Sequence, residues 1–173
     1  MQSRYLTMLL AAIFSVAVVF LAWADEREKT EEPTHEYVGV KKCRICHKKD
    51  SVYESWQSTP HATAWDSLSV DDQKNEELLP YYTTGTSAKG DLLKGIQCEA
   101  CHGPGSDYSK KSIMEDREKA IAKGLLIPTE ETCKKCHNES APPALAATVT
   151  DWDYEKMKAK GVHVLKAEEE VSE

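Results

Sequence analysis

A mainly α domain, made of short helices joined by long loops and poor in apolar side chains for its own centre, is what this sequence predicts. Three observations lead there. Strand-like alternation is hard to find along the 173 residues, whereas several stretches carry apolar residues at helical spacing. The apolar residues are also unevenly spread: residues 1–24 hold 19 of about 69, including both phenylalanines, Phe14 and Phe20. About 50 of the other 149 residues are apolar, near 34%, which is marginal for a folded core. Finally, all six cysteines fall into three copies of one short pattern. The net charge of −7 removes one class of partner, because a nucleic-acid surface needs clustered Lys and Arg.

Arg4 is the lone charge before a run from Tyr5 to Ala24 that contains none. Ala22-Trp23-Ala24 then sets small residues where a signal peptidase reads, and Asp25 follows at once. Residues 1–24 are expected to be an export signal. The alternative is an uncleaved membrane anchor, since about 20 uncharged residues just span a bilayer. Both place the remainder on the periplasmic or extracellular side of the membrane. No cysteine precedes Cys43, so a lipid-modified amino terminus is excluded. Without Arg4 the chain has 21 basic and 29 acidic residues.

Residues 25–36 are charged and without apolar period, which reads as a solvated linker. The folded domain is expected over residues 37–165. Val52, Tyr53 and Trp56 sit at helical spacing within 48–57, and Pro60 closes that stretch. A second helix is expected over 62–68. Pro80, Gly85, Gly90 and Gly95 mark 80–95 as loop or turn. Residues 112–122 are helix-like and end at Gly124; Pro128 and Thr129 sit where a further helix starts. The acidic stretch 166–173 is expected to be a disordered tail.

The cysteines decide the class. They stand in Cys43-Arg44-Ile45-Cys46-His47, Cys98-Glu99-Ala100-Cys101-His102 and Cys133-Lys134-Lys135-Cys136-His137, with none left for a disulfide framework. C-x-x-C-H is the attachment signal for c-type haem. Two thiols three residues apart on a helical turn meet the two vinyl groups of one porphyrin edge, and the next histidine lies beneath the iron as proximal ligand. Structural zinc would need C-x-x-C half-sites in pairs, and three is odd. A thioredoxin-like dithiol needs one pair in a strand–helix setting that is absent. The reading is three covalent haems (heme c, Fe), with Cys43, Cys46, Cys98, Cys101, Cys133 and Cys136 as thioether sites and His47, His102 and His137 as proximal ligands. Flat apolar porphyrins also supply the core that the side chains lack. The fold class is therefore a small mainly α multihaem cytochrome c, packed around its haems.

Three histidines remain, His61, His163 and His35, one for each iron. Met114 and Met157 compete as axial ligands. A helix of about ten residues after His47 rises about 15 Å, so His61 is carried away from the first haem and should cap another iron. His163 lies in apolar Gly161-Val162-His163-Val164-Leu165, where a core histidine is the other reading. His35 sits in the polar linker, as either ligand or solvated histidine.

Val38-Gly39-Val40-Lys41-Lys42-Cys43, Ser55-Trp56-Gln57-Ser58-Thr59-Pro60-His61-Ala62, Gly95-Ile96-Gln97-Cys98 through Gly103-Pro104-Gly105, and Thr132 to His137 together resemble the cytochrome c-554 family of multihaem electron carriers. The resemblance covers most of residues 37–140. It implies a largely helical fold around closely packed haems, with electron transport as the activity. It also implies that His61 is the distal ligand for the haem on Cys98 and Cys101, and His163 for the haem on Cys133 and Cys136. Tetrahaem relatives carry a further C-x-x-C-H before the Cys98 motif, where this chain has Tyr81-Tyr82-Thr83-Thr84-Gly85-Thr86. They also place a histidine after Gly-Pro-Gly that ligates the first haem; here Tyr108, Lys110 and Lys111 stand there. The sixth position of the first iron is then filled by His35 folding back (about eight extended residues reach about 26 Å), by a neighbouring protomer, or by Met or Lys, or it is open.

The expected function is an exported trihaem carrier passing single electrons between partners in a respiratory chain, rather than an enzyme. Its acidic surface suits donors and acceptors with basic docking faces. The alternatives are a reductase of nitrite, hydroxylamine or nitric oxide at an open first haem, with Tyr108 or Lys110 as proton donor, and a haem subunit of a larger membrane complex.

Overall fold

The computed structural model describes residues 35–164. The expected export segment 1–24, linker residues 25–34 and the tail 166–173 lie outside the described residues. The described chain is mostly short helices and loops. Helix α1 (Val40–His47) is followed by α2 (Val52–Gln57), 3-10 turns at Trp65–Ser67 and Asp72–Lys74, and α3 (Leu79–Tyr82). Strands β1 (Thr83–Thr86) and β2 (Leu92–Lys94) come next, then α4 (Cys98–His102), α5 (Lys111–Met114), α6 (Arg117–Ala122) and α7 (Glu130–Lys134). A 3-10 turn at Pro143–Leu145, α8 (Ala146–Thr150) and α9 (Tyr154–Gly161) complete the order.

Side-chain capping explains the starts of α2, α6, α7 and α9. The expected helix over 48–57 begins only at Val52, because Asp50 Oδ1 accepts the Val52 N–H at 3.2 Å and Ser51 turns left-handed at φ 65°. The stretch 112–122 divides into α5 and α6 because Asp116 caps the second piece, accepting the Lys119 N–H at 3.1 Å. Thr129 and Thr132 form a reciprocal capping box that starts α7, where Pro128 and Thr129 predicted it. Asp153 caps α9 as Asp116 caps α6, its side chain accepting the Lys156 N–H at 3.1 Å. The second expected helix, 62–68, reduces to the 3-10 turn at Trp65–Ser67.

The stretch 80–95 is more ordered than a loop. β1 and β2 pair antiparallel, Thr86 opposite Leu92 and Thr83 opposite Lys94, with a bulge between Thr83 and Gly85. β-Branched threonines suit the pleat, and the left-handed glycines Gly85 and Gly90 permit the bulge and turn. Gly95 is required for a different reason. A Cβ there would lie 2.8 Å from the Ala62 carbonyl oxygen, at φ +77°.

The core is thin and largely polar. Among the described residues the buried apolar side chains are Trp65, Tyr82, Tyr108 and Ala120, beside buried Thr59, Thr83, Thr84, Gln97 and Glu99. Glu99 is the largest fully buried side chain, and its carboxylate accepts the N–H groups of Val38 (2.9 Å), Gly39 (2.6 Å) and Gly105 (2.7 Å). Gln97 extends the same clamp, accepting the Val40 N–H at 2.7 Å and donating to the Lys94 carbonyl at 3.0 Å. The chain before the first cysteine pair is thereby fixed to the second pair by polar contacts, where a larger core would use apolar packing.

Candidate haem sites

Each C-x-x-C-H stands on a helical turn. Cys43, Cys46 and His47 end α1, the second motif is α4, and the third begins in α7. There the turn continues beyond α7, with Cys136 N–H and His137 N–H both donating to the Cys133 carbonyl (3.1 and 3.0 Å). Spacing of three and four residues puts both sulfurs and the imidazole on one face. All six thiols are free.

The three motifs lie side by side. The helices of the first two motifs pack together, and the interaction of the Cys43 thiol with that of Cys98 is the largest cause of the rise in the Cys43 thiol pKa, ahead of burial. The same interaction is the main cause that lowers Cys98. The Cys101 thiol is pushed up to about 11, first by burial and then by the nearby thiols of Cys133, Cys136 and Cys98. The second motif thus stands between the other two, one of its sulfurs against each neighbour.

The histidines fall into pairs. His61 and His137 have ring centroids 6.1 Å apart, and so do His102 and His163. Two imidazoles on opposite sides of one metal, with bonds of about 2 Å, stand about 6 Å apart centre to centre. Both pairs meet that spacing, and each joins a motif histidine to one outside the motifs. His61, His102, His47 and His137 each carry the Nδ1 hydrogen bond that ligand histidines need. His61 Nδ1 donates to the Gly161 carbonyl (2.7 Å) and His102 Nδ1 to the Leu126 carbonyl (3.0 Å). His47 Nδ1 donates to Asp50 Oδ2 (3.0 Å) and His137 Nδ1 to Thr148 Oγ1 (2.7 Å). In each, Nε2 is the nitrogen left for a metal. Burial holds His61, His102 and His137 below the ordinary histidine value, favouring the neutral form that coordinates.

The donor set fits haem. Among the described residues no three His, Cys, Asp or Glu side chains converge as a metal cage. Structural zinc needs four protein ligands, whereas haem iron takes four from the porphyrin and needs at most two more.

The pairing departs from the one implied by the family resemblance. His61 faces His137 rather than His102, and His163 faces His102 rather than His137. The carboxy-terminal segment decides this. Gly161 ends α9 against His61, where a Cβ would lie 3.0 Å from His61 Cε1. The chain then leaves extended through Val162 (φ −110°, ψ 151°), which carries His163 onward to the second motif. The segment after His47 carries His61 to the histidine of the third motif.

His35 forms no ring pair with His47 among the described residues. Its Nδ1 is hydrogen-bonded to Asp107 Oδ2 at 2.9 Å and its ring lies against Gly124. Tyr108 is buried, and its hydroxyl donates to the Gly103 carbonyl at 2.6 Å. Met114 and Met157 are half-buried in α5 and α9, and Lys110 and Lys111 are exposed. Sequence reasoning assigned no role to Asp50, Thr148 or the Leu126 carbonyl. Asp50 was accessible, three residues after His47 on the same chain segment; Thr148 carried no signal. Trp152, whose ring is 5.8 Å from His137 and whose indole N–H donates to Glu130 Oε1 at 2.8 Å, was also missed.

No helix among the described residues is long and apolar enough to cross a membrane. Comparison with known proteins agrees with the site chemistry. Cytochrome c-554 of Nitrosomonas europaea is 27% identical over an alignment of 136 residues, covering 58% of this chain and 57% of the relative. The chain thus spans a little over half the length of that relative. The reduced-state structure of cytochrome c554 from the same organism superposes with a TM-score of 0.57 at 23% identity, covering 75% of this chain and 85% of that one, which shows a shared fold. Such relatives are multihaem c-type cytochromes, with covalent haem and electron transfer as their general chemistry. A family model matched from residue 24 to residue 170 carries the assignment across nearly the whole chain, which belongs to the outer membrane cytochrome family of MtrC/MtrF-like type, domains II/IV.

Proposed function

We propose that the chain holds three covalent c-type haems and relays single electrons along them, in the order Cys43/Cys46, Cys98/Cys101, Cys133/Cys136. The observation that carries this is the neighbourhood of the thiols: Cys98 against Cys43, and Cys101 against Cys133 and Cys136. Each bound haem would supply a one-electron iron couple. The chain's own residues then set distance and ligation. The helical turns present the paired sulfurs, His61 with His137 and His102 with His163 are the imidazole pairs that would hold two of the irons, and the Glu99 clamp keeps the first motif on the second. With the second motif near both others, electrons would need no substrate pocket, only access at the two ends.

The uncharged run from Tyr5 to Ala24 supports export, and with it a site of action outside the cytoplasmic membrane, where haem is attached to such motifs. Exposed Asp66, Asp71, Asp72, Glu76 and Glu77 support docking to a basic face, felt mainly in association rate. The test is mass spectrometry of the purified protein with electron paramagnetic resonance of its oxidised form. Three covalent haems and at least two low-spin signals are expected; fewer than three haems would overturn the count.

The Asp107 contact of His35 favours a second reading for the first site alone, a small-molecule reductase at an iron ligated by His47 without a second imidazole. Carbon monoxide added to the reduced protein separates the two. A spectral change confined to one haem supports the reductase, and no change removes it.

A further inference from the structure

The three motif histidines differ in what receives the Nδ1 proton. Behind His47 stands a carboxylate, Asp50 Oδ2 at 3.0 Å. Behind His102 stands a backbone carbonyl, that of Leu126, also at 3.0 Å. Behind His137 stands a hydroxyl, Thr148 Oγ1 at 2.7 Å. That hydroxyl already donates its own proton to the Leu145 carbonyl at 2.6 Å, so toward His137 it can only accept. The three acceptors therefore form a series of falling strength: anion, amide carbonyl, neutral hydroxyl.

Acceptor strength acts on a ligated metal through the imidazole. The more fully Nδ1–H is drawn toward its acceptor, the more negative charge the ring carries and the more basic its Nε2 becomes. A more basic axial ligand favours the oxidised, more positive iron and so lowers the reduction potential. Asp50 is half exposed, which screens part of its charge, yet it remains the only ionised acceptor of the three. The same ordering follows the spatial order of the cysteine pairs, since the second motif lies between the other two.

We infer that Asp50, the Leu126 carbonyl and Thr148 are positioning residues that grade the three sites, lowest potential behind His47 and highest behind His137, so that electrons entering at the first site run to the third. This rests on the reading of the three motifs as haem sites. Axial partners and burial also contribute to each potential, so the decisive quantity is the shift each substitution causes.

The experiment is a spectroelectrochemical titration of the haem-loaded full chain and its variants, each first checked for three covalent haems by its pyridine haemochrome spectrum. Asp50→Asn keeps the size of the side chain and removes its charge. It should raise the lowest midpoint by a tenfold change in equilibrium constant, about 59 mV for one electron, and leave the other two in place. Thr148→Val should raise the highest midpoint, Thr148→Ser should leave it unchanged, and Thr148→Asp should lower it toward the first. The grading is overturned if Asp50→Asn moves no midpoint, or moves one other than the lowest, or if Thr148→Asp leaves the highest where it was. A wild-type protein without covalent haem would instead overturn the reading of the sites themselves, and the haemochrome measurement distinguishes that failure. Loss of haem from one variant leaves the other arm of the series decisive, since the two substitutions lie at different motifs.

Discussion

Residues 38–108 and residues 129–164 are held together by different means. The first stretch contains nearly every buried side chain: Thr59, Trp65, Tyr82, Thr83, Thr84, Gln97, Glu99 and Tyr108. The second stretch buries none. Its contacts are local caps at Thr129 and Asp153, the Trp152–Glu130 bond, a few hydrogen bonds to the first stretch such as Gly161 to His61 and Val164 to Ser55, and the approach of His137 to His61 and His163 to His102. A chain segment without a core of its own must be organised by something it binds. The first stretch already has a polar clamp and a hairpin, whereas the second is arranged around the places where haem would sit.

Removing the cofactor is the strongest way to break that comparison. Replacing all six cysteines should leave a chain that is largely unfolded by circular dichroism, with hydrogen exchange fastest over 129–164. A cooperative, native-like helical melt without haem would show that the protein part suffices. Next in size is Glu99→Ala in the haem-loaded protein. It leaves three backbone N–H groups without their acceptor, at about 1–3 kcal/mol for each unsatisfied group. Chemical denaturation should show a loss of about 4 kcal/mol, with the first motif released before the third.

His61→Ala has a smaller effect on stability, about 2 kcal/mol, but tests how the two stretches are joined. One low-spin signal should become high-spin, and that signal should vanish when Cys133 and Cys136 are also replaced. If it survives that replacement and vanishes with Cys98 and Cys101 instead, His61 serves the second motif and the pairing reverts to the one implied by the family. Smallest is Thr129→Ala, which removes the capping box of α7 at a cost of about 1 kcal/mol. Thermal melting of the haem-loaded form should register it as a small shift, because the exposed cap supports only the start of the third motif.

The helical class, the thiol positions and the motif histidines were legible because each depends on neighbours within five residues. So was the start of α7, where Pro128 and Thr129 announce a cap. The hairpin Thr83–Lys94 was hidden by its glycines, which mark turns equally well in a loop and in a bulged strand pair. Continuity over 112–122 was misread because Asp116, an ordinary charged residue in a helical pattern, stops one helix and caps the next. Glu99 is part of a quoted motif, yet its partners Val38, Gly39 and Gly105 include residues about sixty positions away, and no local pattern reports them.

The sequence by itself determined that six sulfurs and three imidazoles stand on three helical turns, because 3.6 residues per turn leaves spacings of three and four on one face. It also determined that side chains alone make a poor core. Only the tertiary structure decided that His61 meets His137, that His163 meets His102, that the second motif lies near both of its neighbours, and that Leu126 and Thr148 stand behind His102 and His137. Most of those contacts join segments far apart in the chain. Their geometry is set by how α9 and the loops pack, which periodicity along a single segment does not encode.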